Sequence, residues 1–362
     1  MSLLKKRNLG IDLLRIISMY MIVILHVLGQ GGILFNLEIF SNKYNIAWIL
    51  EIICFCSVNL YGFITGYVMT GSKFKYKKII NLWISVIFWS VLLTITMSLI
   101  YPNTIDKRDI IKSFFPVIYN EYWYFSSYVL LFFCIPFISK FIDILDKATY
   151  KKLLITIIFF MSIVGIVYDP FVIVSGNSFI WLLALYIIGA YIKKYGLFNN
   201  IKSIYIFFLI LLMVGLTFLI KCFILKNPYI FSELLSDGFL VKHNSFTILF
   251  ASILIFVMLI RLKLNNKYLK RFIKRLSPAT FGVYIIHVHS WVWVLFMQDR
   301  FKSLINYNSI IMILLVLFYA FMIYMLCSYL EMIRIYIFKK FKINKIENFI
   351  YKGIKKIYFN IF

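Results

Sequence analysis

The chain has 362 residues, of which 63% are hydrophobic, 20% aromatic and only 15% charged, with a formal net charge of +25. Its apolar residues fall in long runs separated by short polar segments, a pattern that excludes an ordinary soluble globular domain. The basic balance would suit a nucleic-acid binder, so the placement of the positive residues has to decide that point.

Crossing a hydrocarbon core about 30 Å thick takes about 20 mostly apolar residues. Ten such runs occur, over approximately 10–29, 46–71, 79–101, 122–141, 152–168, 179–195, 202–221, 242–262, 278–297 and 308–338. With the N-terminus in the cytoplasm, 28 of the 39 Lys and Arg fall on inner segments and nine on outer loops, while Arg15 and Arg334 lie inside spans. That bias is the positive-inside rule, so the charge sets topology and no nucleic acid is needed to explain it. The expected fold is an all-α integral membrane bundle of about ten transmembrane helices, multi-pass in the cell membrane, with both termini cytoplasmic. Residues 1–338 form its transmembrane domain, and 339–362 read as a basic amphipathic tail suited to the membrane interface. The first run is too long and too rich in ionisable groups for a cleaved leader and is expected to stay as an anchor. Loops are short, so any chemistry is expected among the helices.

The first run, "GIDLLRIISMYMIVILHVLGQGG", carries Asp12, Arg15 and His26. Eleven steps of about 100° leave Arg15 and His26 roughly 20° apart around a helix and about 16 Å apart along it. Asp12, three residues before Arg15, is spaced for an ion pair on the same stripe. A centrally placed Asp or Arg costs about 2.5–3.5 kcal/mol to insert, so such groups usually face a bundle interior or a wet cavity. The stripe therefore reads either as a structural pair plus a hydrogen-bonded imidazole, with Arg15 shallow enough to snorkel, or as a working wall. The second run adds Glu51 and Asn59, with Gly62 and Gly66 spaced for close helix packing. Trp123 and Tyr124 open the fourth run, where they suit either an interfacial belt or a sugar face, and His287 sits inside the ninth. His243 and His289 carry no assignment. The five cysteines lack C-x-x-C spacing or a companion His cluster and read as small apolar residues, so no metal is expected.

"IDLLRIISMYMIVILH" resembles the hallmark of the membrane-bound acyltransferase-3 superfamily, an Asp followed by an Arg, ten residues and a His in the first helix. "SVNLYGFITGYVMTG" is similar to that family's second helix, with Thr65 in place of Ser. "YWYFSSYVLLFFCIPFISKFI" looks like its Trp-Tyr helix, and "LSPATFGVYIIHVHSW" like its late His-bearing helix. The four blocks occur in the family's order, and their closest flavour is the surface-polysaccharide O-acetyltransferase branch. One departure stands out. Where the family commonly places two arginines and a Pro in its third helix, this chain has "KYKKIINLWISV", with Lys77 and Lys78 at the basic positions, Asn81 at the second Arg and Ile84 near the Pro.

The resemblance implies an O-acyltransferase that moves an acyl group, usually acetyl from acetyl-CoA, to a hydroxyl of an envelope glycan or its lipid-linked precursor, with membrane lipids as surroundings. On that reading His26 is a general base or a covalent acyl relay, and Asp12 orients Arg15. Arg15, Lys75, Lys77 and Lys78 meet the polyanionic acyl-CoA at the inner face, although topology alone also explains the lysines. Glu51, Asn59, Trp123, Tyr124 and His287 are expected at the substrate. The rival class is a multi-pass transporter or flippase, which should carry inverted repeats and broken helix pairs; none is visible in the sequence.

Overall fold

A computed structural model describes residues 7–72, 74–102, 104–231, 240–343 and 347–353. Half of the expected tail, 344–346 and 354–362, lies outside these residues. All the regular structure among them is helical. The long elements are α1 (Leu9–Leu28), α2 (Asn42–Cys54), α3 (Cys56–Met69), α4 (Lys77–Ile100), α5 (Lys107–Phe114), α6 (Trp123–Ile144), α7 (Lys147–Ile158), α8 (Phe179–Tyr195), α9 (Ser203–Lys226), α10 (Phe246–Ile260), α11 (Lys267–Leu276), α12 (Thr280–His287) and α13 (Ser309–Lys340). Side-chain caps start several of them where the first backbone N–H groups have no helical partner. Asn8 accepts from the Gly10 N–H, Ser41 from that of Tyr44, Ser178 from that of Trp181 and Asn308 from that of Ile311. At the other pole of α6, the Lys194 ammonium donates to the carbonyls of Ile142, Asp143 and Leu145, where a cation also complements the helix dipole.

Seven helical stretches among the described residues are long and apolar enough to cross a membrane, counting α2 with α3 and α7 with its continuation to Val167 as one each. Lys267–His287 and Ser290–Asn306 make an eighth if that bent pair is one crossing. The two other expected spans form the shorter helices α8, of 17 residues, and α10, of 15. The all-helical membrane fold is what forms; a count of ten full-length spans is not reached. The ninth expected run also differs in shape, because it turns by 69° after His287 instead of running straight.

Burial ranks the helices by position. In α1 and in the α2–α3 stretch, 56% and 67% of the most apolar window is buried, against 22–33% for the other long helices. Those two therefore form the centre, and the rest turn wide apolar faces outward to lipid. α1 is surrounded by α2, α3, α10, α11, α12 and α13. α3 packs most extensively against α8, and small residues permit it. An added Cβ on Gly66 would lie 2.1 Å from the Tyr186 carbonyl oxygen, and one on Gly189 2.4 Å from that of Phe63. The beginning of α1 and the end of α13 lie at the same end of the bundle. Asp12 accepts from Ser277 Oγ (3.0 Å), and the neighbouring Pro278 shares a cavity with Lys339.

Candidate active site

His26 sits near the far end of α1, half-buried. Its Nδ1 lies 3.0 Å from Nε2 of His287, the last residue of α12. His287 Nδ1 is in turn 2.6 Å from the Val283 carbonyl oxygen, one turn back. A carbonyl only accepts, so His287 Nδ1 carries the proton and donates it, leaving Nε2 as the acceptor in a neutral ring. His26 must then donate from Nδ1, which puts its own lone pair on Nε2. The chain of bonds fixes one tautomer at each ring and directs basicity to a single atom.

The bend after His287 completes the setting. Backbone and hydroxyl of Ser290 both donate to Glu121 Oε1, and His289 Nε2 lies 3.2 Å from both the Ser90 carbonyl and Thr94 Oγ1. These contacts from α4 and the α5–α6 loop hold residues 288–290 away from the α12 axis. The segment beyond returns Trp293 to His26, ring edge to ring face at 4.7 Å. His26 is thus held between His287 and Trp293, one from each side of the break.

At the other end of α1, the Asp12 carboxylate takes three donors: Arg7 Nε (2.5 Å), Arg15 Nη1 (3.0 Å) and Ser277 Oγ (3.0 Å). It acts as an anchor for two guanidiniums. The Arg15 side chain is about one-third exposed and spends one Nη on Asp12, so most of its donors remain for a ligand. The adjoining wall is aromatic. Tyr61 donates to the Arg15 carbonyl (2.9 Å) and packs on Tyr124, which also meets Trp123 and Tyr284.

The remaining expected site residues separate into distinct places. Asn59 is fully used inside the protein: its amide donates to the His243 carbonyl and Ser252 Oγ and accepts from Trp181 Nε1. Both amide hydrogens and the carbonyl oxygen are thus engaged by the protein. Glu51 is buried on α2 with Oε2 unpartnered and makes no hydrogen bond to His26. Lys75 and Lys78 are exposed. Lys77 reaches Asn348 Oδ1 (2.7 Å) and Glu347 (3.9 Å) near the C-terminus.

One cluster escaped the sequence reading. A cavity of about 380 Å³ opens beside the start of α4, walled by Asn81, Pro278 and Phe281, by the cations Arg334 and Lys339, and by the carboxylates Glu331 and Glu347. Arg334 is bound by Glu331 through two contacts, 2.8 and 2.6 Å, and Trp89 Nε1 donates to the same carboxylate at 2.7 Å. The guanidinium absent from position 81 is therefore matched by one arriving from α13 at the same cavity. The visible signal was an i, i+3 Glu–Arg pair inside an otherwise apolar helix. No metal-binding group of three or more His, Cys, Asp or Glu occurs among the described residues.

A family model described as an acyltransferase domain, acyltransferase-3, matches residues 8–332. No curated protein and no solved structure matches the chain.

Proposed function

The chain is a membrane acyltransferase of the acyltransferase-3 family, and on that premise we propose that it carries an acetyl group from cytoplasmic acetyl-CoA to a hydroxyl of an envelope glycan or its lipid-linked precursor. The observation that carries this reading is the course of one short segment. Pro278 and Phe281 wall the cation-bearing cavity, His287 holds His26 about 9 Å further along the helix axis, and the bend follows immediately. A polyanionic thioester suits the end with Arg15 and Lys339, since a guanidinium with free donors binds phosphates, while Arg334 keeps its fork on Glu331. Lys75, Lys77 and Lys78 add positive potential at its mouth. Trp123 and Tyr124 meet edge to face, with Tyr284 edge-on to Tyr124, and Tyr61 links this aromatic group to Arg15; Glu51 is a reserve carboxylate on the neighbouring helix.

In this mechanism the acceptor O–H gives its proton to His26 Nε2 as the oxygen attacks the thioester carbonyl carbon. The C–S bond then breaks, and the departing thiolate takes the proton from His26, which ends as it began. His287 keeps the imidazole in the productive tautomer, and Asp12 keeps Arg15 in place; neither needs to touch the reacting atoms. General-base assistance of this kind contributes about 10²–10⁴ in rate.

His26→Ala is expected to abolish alkali-labile acyl esters on the envelope glycan at unchanged protein level, as read by NMR of the extracted glycan. Esters retained at the wild-type amount would refute the proposal and favour transport of a glycan over acyl transfer.

A further inference from the structure

α11 reads "KYLKRFIKRL", and its sides differ sharply. At about 100° per residue, Lys267, Lys270, Arg271 and Lys274 share one face, the i, i+3, i+4, i+7 spacing of a single stripe. These four cations together line an open recess of about 390 Å³. On the far side Ile273 and Leu276 are buried against the bundle. Tyr268 and Phe272 stand between the two faces, with 80% and 47% of their surface exposed.

The cations of this stripe have no acid of their own. None of the ion pairs among the described residues includes them. Arg15, by contrast, is held by Asp12, Arg334 by Glu331, and Lys77 approaches Glu347. Like charges three and four residues apart on a helix repel one another, and a counter-charge from outside the chain relieves that repulsion. The positive-inside rule accounts for cations at this end of the bundle. It does not account for their convergence on one face, nor for bare aromatic rings beside them.

The position of α11 selects the source of the counter-charge. Directly after it, Ser277 donates to Asp12 in the first turn of α1, so α11 lies at the end that the positive-inside rule assigns to the cytoplasm. A helix with a basic face and aromatic rings at its margin suits the layer where hydrocarbon gives way to headgroups: the rings enter the acyl boundary while the cations meet phosphates. A soluble anion would leave Tyr268 and Phe272 bare to water.

We infer that this face of α11 docks the headgroup phosphates of anionic phospholipid in the cytoplasmic leaflet. Lys267, Lys270, Arg271 and Lys274 neutralise the headgroups, and Tyr268 and Phe272 pack on the first acyl carbons. The contact bears on the rest of the molecule, because α11 runs through Ser277, bonded to Asp12, into the helix that ends in His287. It stands whichever acyl group or acceptor the protein uses.

The experiment titrates the detergent-purified full-length protein with phosphatidylglycerol or with phosphatidylcholine of the same chain length, and counts bound lipid by native mass spectrometry. Wild type is expected to retain phosphatidylglycerol in preference. Two double variants, Lys267→Gln with Lys270→Gln and Arg271→Gln with Lys274→Gln, keep a helix-forming side chain at each position. Each is expected to weaken phosphatidylglycerol binding about 25-fold, at about fivefold per cation, and to leave phosphatidylcholine unchanged. Lys151→Gln with Lys152→Gln, on the exposed start of α7, removes the same charge elsewhere and is expected to change neither. Equal binding of the two lipids by wild type, an undiminished preference in both α11 variants, or an equal loss in the α7 variant would overturn the docking face. Displacement of phosphatidylglycerol by inorganic phosphate or free CoA at matched concentration would overturn it too, by assigning the cations to a soluble anion.

Discussion

His26 and His287 are 261 positions apart in sequence and 3.0 Å apart in space. The one that touches the backbone decides the chemistry of the other. Because Val283 offers only a carbonyl, His287 has no choice of tautomer, and its acceptor nitrogen imposes the complementary tautomer on His26. Removing His287 leaves the base present and unoriented. His287→Ala is expected to lower kcat by about 10² with KM for acetyl-CoA unchanged; a rise in KM with kcat unchanged, in steady-state assays on purified protein, would assign His287 to binding instead. Sequence alone brought both rings to notice, since imidazoles inside apolar runs stand out. It could not pair them, because the pairing depends on how α12 docks against α1. Asn59 shows the converse: a polar residue in mid-span is legible as needing partners, but the partners it has here come from α8, α10 and the loop before α10.

Among the elements, α3 and α8 illustrate what glycine does when two helices meet at backbone distance. Gly62 and Gly66 were readable as packing residues from their four-residue spacing, and the partner surface includes Gly189. Gly66→Ala is expected to cost roughly 1–3 kcal/mol, as overpacking does, and to lower the melting temperature in detergent. Gly215→Ala, on α9 with nothing within 4 Å of a new Cβ, should leave it unchanged or raise it slightly, since Ala favours helix by up to about 1 kcal/mol. Equal effects at the two positions would mean that the close contact is not what the glycine serves. Helix existence and order were legible because each apolar run is long enough to announce itself. The 69° turn after His287 was not. No Pro or Gly marks it, and the groups that stabilise it, Glu121, Ser90 and Thr94, come from elements far away in sequence.

At the scale of the molecule, charge and geometry agree on a polarity. α1 begins, and α13 finishes, at the end that holds Arg15, Arg334 and Lys339, while a cavity lined by Asp109, Lys112 and Glu121 lies at the other. The positive-inside rule assigns the first end to the cytoplasm. In a background without native cysteines, Lys78→Cys is expected to react with a membrane-impermeant maleimide only after cells are opened, whereas Thr104→Cys reacts in intact cells. The reverse pattern would invert the protein and place the thioester end outside. The spacing of the basic residues predicts this polarity, which the labelling tests. The two cavities were not legible, because each is assembled from helix ends that share no stretch of sequence.

The Val283 carbonyl has one more consequence. The hydrogen-bond wire that starts at His26 stops there, at a group already committed to the backbone, with no titratable side chain beyond it to accept a proton and carry it onward. On the proposed mechanism, the hydrogen ion the imidazole acquires returns to the leaving sulfur. Each turnover on that mechanism is electrically silent with respect to the bilayer, and the energy for esterification comes from the thioester and not from a transmembrane ion gradient.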